Sequence, residues 1–227
     1  MIIEETRTCT VNTQAPQWRY WDVILIACVA ITATFQPFEV AFLDFDDPFP
    51  VVVNRIIDVI FIADTIVQFF VPYQDVFGNT ITNNCQIAMH YARGWLLVDL
   101  VSVFPFDLLA NSNEDPLSKL SLLRALRLLR LFKLLRVLRA SRVINRWRNR
   151  LGVSNAATSL LRFMVLFLLI MHWGACLWFM AATLSTTEGG GQFSGTWVDD
   201  AGLAHASTAS KYVASVYFAA STSSTVG

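Results

Sequence analysis

Long apolar runs separated by short polar stretches divide the chain into five candidate membrane spans. The first covers about Tyr20 to Leu43 and opens on an aromatic belt of Trp18, Tyr20 and Trp21. The second runs from about Val51 to Val71 and carries two acids, Asp58 and Asp64. The third is short, about Trp95 to Ala110, with Asp99 inside it and Pro105 near its outer end. The fourth, Arg124 to Arg142, interleaves charge with leucine. The fifth, about Leu161 to Thr183, is the most plainly apolar and is long enough to cross a bilayer. A loop with Glu188, Gly189, Gly190, Gly191, Asp199 and Asp200 follows it. The closing stretch KYVASVYFAASTSSTVG is helix-compatible from about Lys211 to Thr222 but too short to span. Such a helix after a span fits a re-entrant loop, tolerated at membrane depth only when buried in protein or lining a watery path.

Within the fourth segment a basic residue recurs at every third position: Arg124, Arg127, Arg130, Lys133, Arg136, Arg139 and Arg142. On an α-helix each three-residue step leaves a charge about 60° behind the last, so the stripe winds once round the axis over roughly 27 Å. A basic surface helix keeps its charges on one side. Helices of that kind, which bind membranes, calmodulin or nucleic acid, are the competing reading of this segment taken alone. The apolar spans around it favour a cationic screw held inside a membrane, as a voltage sensor requires.

Carboxylates inside spans are costly, so each implies a partner. Asp58, Phe61 and Asp64 lie three apart, with the same lean as the basic ladder, and Asp99 adds an acid at about mid-depth. Asp64 and Asp99 are expected to pair in turn with successive ladder cations, while Phe61 plugs the water path. A static salt bridge would account for any single acid. Seven cations against three or four acids favour a register that slides.

Composition supports the membrane reading: 227 residues are 55% hydrophobic, with a mean hydropathy of +0.49. The formal net charge is zero, which predicts no bulk attraction to nucleic acid. Arg7, Arg19, Arg93, Arg146, Arg148 and Arg150 flank the ends assigned to the cytoplasm, whereas Asp44, Asp46 and Asp47 occupy the first outer loop. The positive-inside rule then places the N-terminus in the cytoplasm. Cys9, Cys28, Cys85 and Cys176 show neither CxxC spacing nor a secreted disulfide pattern. His90, His172 and His205 are scattered, without metal-ligand spacing, and His172 reads as a hydrogen-bonded packing residue. No enzyme motif, metal site or cofactor site is expected.

These residues together resemble the voltage-gated channels of the ether-à-go-go, cyclic-nucleotide-gated and plant inward-rectifier superfamily, in its potassium-channel form. The resemblance runs from about Trp21 to Gly227, through WDVILIACVAITATFQPFEVAFL, IIDVIFIADTIVQFFVPY, IAMHYARGWLLVDLVSVFPFD, HWGACLWF and SVYFAASTSSTVG. It implies an all-α membrane protein: a four-helix voltage-sensor bundle with an outer pore helix and a re-entrant pore helix, part of a six-span channel. The divisions are a cytoplasmic N-terminus (1–17), a voltage-sensor domain (18–142), a linker (143–158) and a partial pore domain (159–227). The sensing charges would be Arg124, Arg127, Arg130, Lys133, Arg136 and Arg139. The charge-transfer centre would be Asp58, Phe61, Asp64 and Asp99. Thr225, Val226 and Gly227 would begin a selectivity filter whose backbone carbonyls replace the hydration shell of potassium.

Potassium is thus the permeant species, and the partners implied are the lipid bilayer and three further subunits in a homo- or heterotetramer. The short linker implies a sensor beside its own pore domain. The location implied is multi-pass in a membrane, the plasma membrane. Where the family has a further acid on the second span, which helps bind divalent cations, this chain has Asn54. The cyclic-nucleotide-binding region is not in this chain, and the ending within the filter suggests a fragment or truncation unable to conduct as written. Two alternatives stay open: a nonselective channel of the cyclic-nucleotide-gated type, and a non-conducting regulatory subunit.

Overall fold

The computed structural model describes residues 10–11, 15–43, 48–74, 79–104, 129–144, 155–185 and 193–225. Helix α1 (Pro16–Phe42) starts with proline in its first turn, where a missing N–H costs nothing. It buries Trp18, Asp22, Leu25, Cys28, Val29, Thr32, Ala33, Gln36 and Val40 along one side. That recurrence at three and four residues is the helical period. Helix α2 (Pro48–Gln68) buries Ile57, Asp58, Phe61 and Asp64, while Ile56, Val59, Ile62 and Ile66 face outward. An outward apolar face with acids inside inverts the pattern of a soluble helix.

After α2 the chain makes a two-residue antiparallel hairpin, β1 (Tyr73–Gln74) with β2 (Thr80–Ile81), which the apolar pattern does not announce. Helix α3 (Asn84–Gly94) is capped by Asn83, whose side chain accepts from the Cys85 N–H at 3.0 Å. Trp95 separates it from α4 (Leu96–Val103), the described part of the third span. The ladder is helical from 129 to 144, but not as an α-helix throughout. From Arg130 to Leu138 it is a 3₁₀ helix, with α geometry from 139 onward.

Helix α5 (Asn155–Leu184) contains the fifth span. A short α6 (Trp197–Asp200) precedes α7 (Thr208–Ser223), whose N-cap Ser207 accepts from the Ser210 N–H. Helix α1 and residues Ser159–Leu184 of α5 are long and apolar enough to cross a membrane. The predicted first, second, fifth and re-entrant elements each match a helix, with ends displaced by a few residues.

Helix α1 serves as a wall shared by two cores. Its first half joins Ile57, Phe61 and Val143 through Leu25, Cys28 and Val29. Its second half joins α5 and the segment that follows it, with Val40 and Ala41 against Cys176, Phe179, Met180, Phe193 and Val198. Pro37 tightens this second contact. Lacking an N–H, it leaves the Ala33 carbonyl without its usual helical donor. Trp173 on α5 supplies one, its indole Nε1 donating to Ala33 O at 2.8 Å. One residue on, His172 Nε2 lies 2.7 Å from Thr34 O, and its Nδ1 lies 2.8 Å from the Tyr212 hydroxyl of α7. His172 is therefore the hydrogen-bonded packing residue its sequence context predicted. Small residues, Gly174, Ala175 and Ala219, let α5 and α7 approach closely.

Candidate charge-transfer site

The 3₁₀ segment corrects the helical screw expected of the ladder. At three residues per turn, side chains three apart eclipse instead of falling 60° behind. Lys133, Arg136 and Arg139 consequently project along one line into the bundle, and they are only 1%, 1% and 3% exposed. Charges wound round the axis would have put some of them in lipid. The tighter helix is the conformation that turns Lys133, Arg136 and Arg139 toward protein partners on one side.

Those neighbours form two acidic tiers separated by an aromatic ring. In the first tier Asp58 meets two cations: its Oδ1 pairs with Arg136 Nη2, and its Oδ2 lies 4.0 Å from Lys133 Nζ. Arg136 also donates through Nε and Nη2 to the Ser102 carbonyl, at 2.9 and 2.7 Å. That carbonyl lies in the last turn of α4, where helical acceptors outlast their backbone donors.

Phe61 is the divider, with no exposed surface. Its ring centroid is 5.1 Å from the guanidinium carbon of Arg136 and 4.8 Å from that of Arg139. Cation–π attraction of about 0.5–2 kcal/mol per contact lets the ring hold both guanidinium groups.

In the second tier Arg139 Nε lies 2.8 Å from Asp99 Oδ1, and its Nη1 lies 4.0 Å from Asp64 Oδ2. The Nε contact is close but not aligned as a hydrogen bond, so its attraction is coulombic. Aligned bonds run instead from Nη1 to Phe61 O (3.0 Å), and from Nη2 to Asp99 O (3.1 Å) and Ser102 Oγ (3.0 Å). Arg142 Nη2 lies 3.0 Å from Asp99 Oδ2 and 3.8 Å from Asp64 Oδ2. Trp95 and Tyr91 place their rings near its guanidinium.

The acids are themselves held. Gln68 Nε2 and Trp21 Nε1 donate to Asp64 Oδ1 at 3.1 and 3.4 Å. Tyr91 donates its hydroxyl to Asp99 Oδ2. Burial raises the Tyr91 phenol above its ordinary pKa, and the Asp99 bond raises it further.

The fold thus gathers all four residues of the expected centre, Asp58, Phe61, Asp64 and Asp99, around Lys133, Arg136 and Arg139. One refinement concerns which acids serve the ladder. Exchange was expected between Asp64 and Asp99, yet Asp58 holds two cations on the far side of Phe61. Arg124 and Arg127 lie outside the described residues, and Arg130 is described only as the first residue of the 3₁₀ helix.

Sequence reasoning left Arg142 out of the sensing charges, although it continues the every-third spacing. It also missed the supports Tyr91, Trp95, Ser102, Trp21 and Gln68. Tyr91, Trp95 and Asp99 recur at every fourth position, a helical face that could have been read. Nothing in the sequence signals the Ser102 carbonyl. Of the expected filter, Thr225 leaves α7 with a left-handed φ of 56° and its N–H on Thr222 O at 3.3 Å. Val226 and Gly227 lie outside the described residues. Among the described residues, no group of three or more His, Cys, Asp or Glu side chains could hold a metal ion.

A bundle of helices with outward apolar faces around a buried cation ladder, packed on a helix long and apolar enough to span and on a shorter one, defines an all-α membrane protein. The chain belongs to the ion transport protein family, which it matches over residues 18–227. It is 30% identical over 242 residues to the voltage-gated inwardly rectifying potassium channel KCNH2 of Oryctolagus cuniculus, covering 96% of this chain and 20% of that protein. It is 32% identical over 251 residues to the potassium voltage-gated channel unc-103 of Caenorhabditis elegans, covering 96% and 28%. KCNH6 of Gallus gallus, another voltage-gated inwardly rectifying potassium channel, is 29% identical over 244 residues, covering 96% and 19%. The chain spans less than a third of the length of each of these relatives. Their family is the one its motifs pointed to.

Proposed function

We propose that the chain is a subunit of a voltage-gated potassium channel, in which the ladder slides past Phe61 as the membrane potential changes. One observation carries this reading. Lys133 and Arg136 stand with Asp58 on one side of a fully buried phenyl ring, and Arg139 and Arg142 stand with Asp64 and Asp99 on the other. A pair of acids that merely neutralised fixed charges would need no ring between equivalent tiers.

With the N-terminus in the cytoplasm, as the loop charges favour, the Asp58 tier is outer and the Asp64–Asp99 tier inner. The ladder then stands outward. A step of three 3₁₀ residues is about 6 Å, and an inward step would hand Arg136 from Asp58 to Asp64 and Asp99. Each cation exchanges one carboxylate for another, so it is not left unpaired in a low-dielectric interior. A charge moved through the full field is worth about 2.3 kcal/mol per 100 mV, so three per sensor give roughly 7 kcal/mol.

Potassium as the permeant ion is supported by the names of the relatives and by the filter-like Thr225-Val226-Gly227. A tetramer in the plasma membrane, each sensor against its own pore domain, accords with the contact of α1 on α5 within one chain. The test is the gating current. Lys133→Gln and Arg136→Gln should each remove on the order of one of about three elementary charges moved per subunit. Charge movement unchanged by both would sink the sensor role. In cells expressing the gene, currents should reverse at the potassium equilibrium potential, and reversal that tracks sodium equally would remove the potassium assignment.

A further inference from the structure

Ser102 lies in the last turn of α4 with no exposed surface. Among the described residues it alone hydrogen-bonds to both Arg136 and Arg139, the two cations that lie against the Phe61 ring. Its carbonyl serves the Asp58 tier, accepting from Arg136 Nε and Nη2. Its hydroxyl serves the Asp64–Asp99 tier, accepting from Arg139 Nη2 at 3.0 Å. The hydroxyl proton is directed back along the helix to the Asp99 carbonyl at 2.9 Å, which leaves the oxygen free to accept from the ladder. For the helix alone an alanine would serve better, and a buried hydroxyl is costly without partners. The partners Ser102 has are the moving charges.

We infer that Ser102 is a positioning residue for charge movement: a neutral relay that passes a guanidinium from its carbonyl to its hydroxyl as the ladder carries it past Phe61. This rests on the sensor reading above. An inward step of three residues puts Arg136 where Arg139 now stands. To get there Arg136 must leave Asp58, which pairs with no cation of the inner tier, and reach Asp64 and Asp99, which pair with none of the outer. Ser102 is the acceptor common to both places. At rest its hydroxyl is one of several acceptors for Arg139, beside Phe61 O at 3.0 Å and Asp99 O at 3.1 Å. In transit the arginine changes carboxylates and keeps a hydrogen bond by moving between two oxygens of one residue. The hydroxyl therefore acts on the barrier to the step more than on its end positions.

The experiment is gating-current recording on the unmodified chain, Ser102→Ala, Ser102→Thr, Arg136→Gln, and the double variant Ser102→Ala with Arg136→Gln. Ser102→Ala keeps the carbonyl and removes the hydroxyl. It should slow charge movement roughly tenfold in both directions, the rate effect of one lost hydrogen bond to a charged group. Total charge and the charge–voltage midpoint should stay near those of the unmodified chain. Ser102→Thr, which keeps a hydroxyl able to bond back along the helix, should restore most of the rate. The slowing by Ser102→Ala should shrink in the Arg136→Gln background, where no guanidinium makes the crossing. If the alanine variant does not fold, Ser102→Cys, close in shape but a weak acceptor, should show the same slowing. Unchanged kinetics, or equal slowing in both backgrounds as a packing defect would give, overturns the inference and leaves the sensor intact. A shifted midpoint with unchanged rates overturns it as well. Absence of any charge movement in the unmodified chain takes down the sensor reading and this inference with it.

Discussion

Asp99 meets three partners at once: Arg139, Arg142 and the Tyr91 hydroxyl. The donors around so crowded a carboxylate stand in for the water that burial removes. Tyr91 is the member of this group with a readable pH signature. Its neutral phenol is favoured in the folded protein, first by burial and then by the bond to Asp99. Below the ordinary phenol pKa of about 10, both folded and unfolded chains hold this proton and stability is flat. Above it the unfolded chain releases the proton first, so stability falls as pH rises. Thermal melts in detergent should show this decline beginning near pH 10, and Tyr91→Phe should flatten it. The same variant should melt lower at pH 7, because a buried bond to a charged acceptor is worth about 1.5–3 kcal/mol. A Tyr91→Phe melting curve that matches the unmodified protein at every pH would show that the hydroxyl does not brace Asp99.

Among the elements, α1 and the ladder most clearly convert sequence into mechanism. Pro37 breaks one backbone bond of α1, and the indole of Trp173 repairs it from α5, so the weak point of one helix becomes its dock on another. Trp173→Phe should therefore cost about 1–3 kcal/mol, the price of a buried unsatisfied carbonyl. In a Pro37→Ala background the restored N–H reaches Ala33, and the same substitution should lose only packing. A double-mutant cycle by thermal unfolding measures the difference, and strict additivity would rule out the carbonyl dock. For the ladder, the three-residue repeat and the 3₁₀ turn of Arg130–Leu138 share one period, so in the proposed sliding each step of that stretch would present the same geometry to Asp58, Phe61 and Asp99. An α-helical ladder would have to rotate by about 60° at each step to do so.

At the scale of the whole molecule, apolar surface is the dominant feature. Leu160, Leu161, Phe163, Leu166, Leu168 and Ile170 of α5 are all exposed, as lipid or a neighbouring subunit would require. On α7, Val213 and Tyr217 are also exposed, and Phe218 stacks on Trp178 at 3.9 Å beside an open cavity of about 900 Å³. In the proposed tetramer this face receives the adjacent subunit. Light scattering of detergent-solubilised protein should give a mass of four chains, with Tyr217→Ser raising the fraction of smaller species. A monomer at all concentrations would contradict the assembly.

Much of this was legible from one-dimensional pattern. Runs of apolar residues marked the spans because hydrocarbon admits little else. The every-third cations and the intramembrane acids marked the site because each charge there demands a partner. Pattern alone could not choose between α and 3₁₀ geometry for the ladder, since three-residue spacing is compatible with both. Only the packed bundle, which must keep Lys133, Arg136 and Arg139 away from lipid on a single face, decided it. The sequence by itself determined which charges enter the membrane. The tertiary structure determined which acid meets which cation, that the Ser102 carbonyl helps hold Arg136, and on which side of Phe61 each charge stands. Those are distances between separate helices, set by how the helices pack.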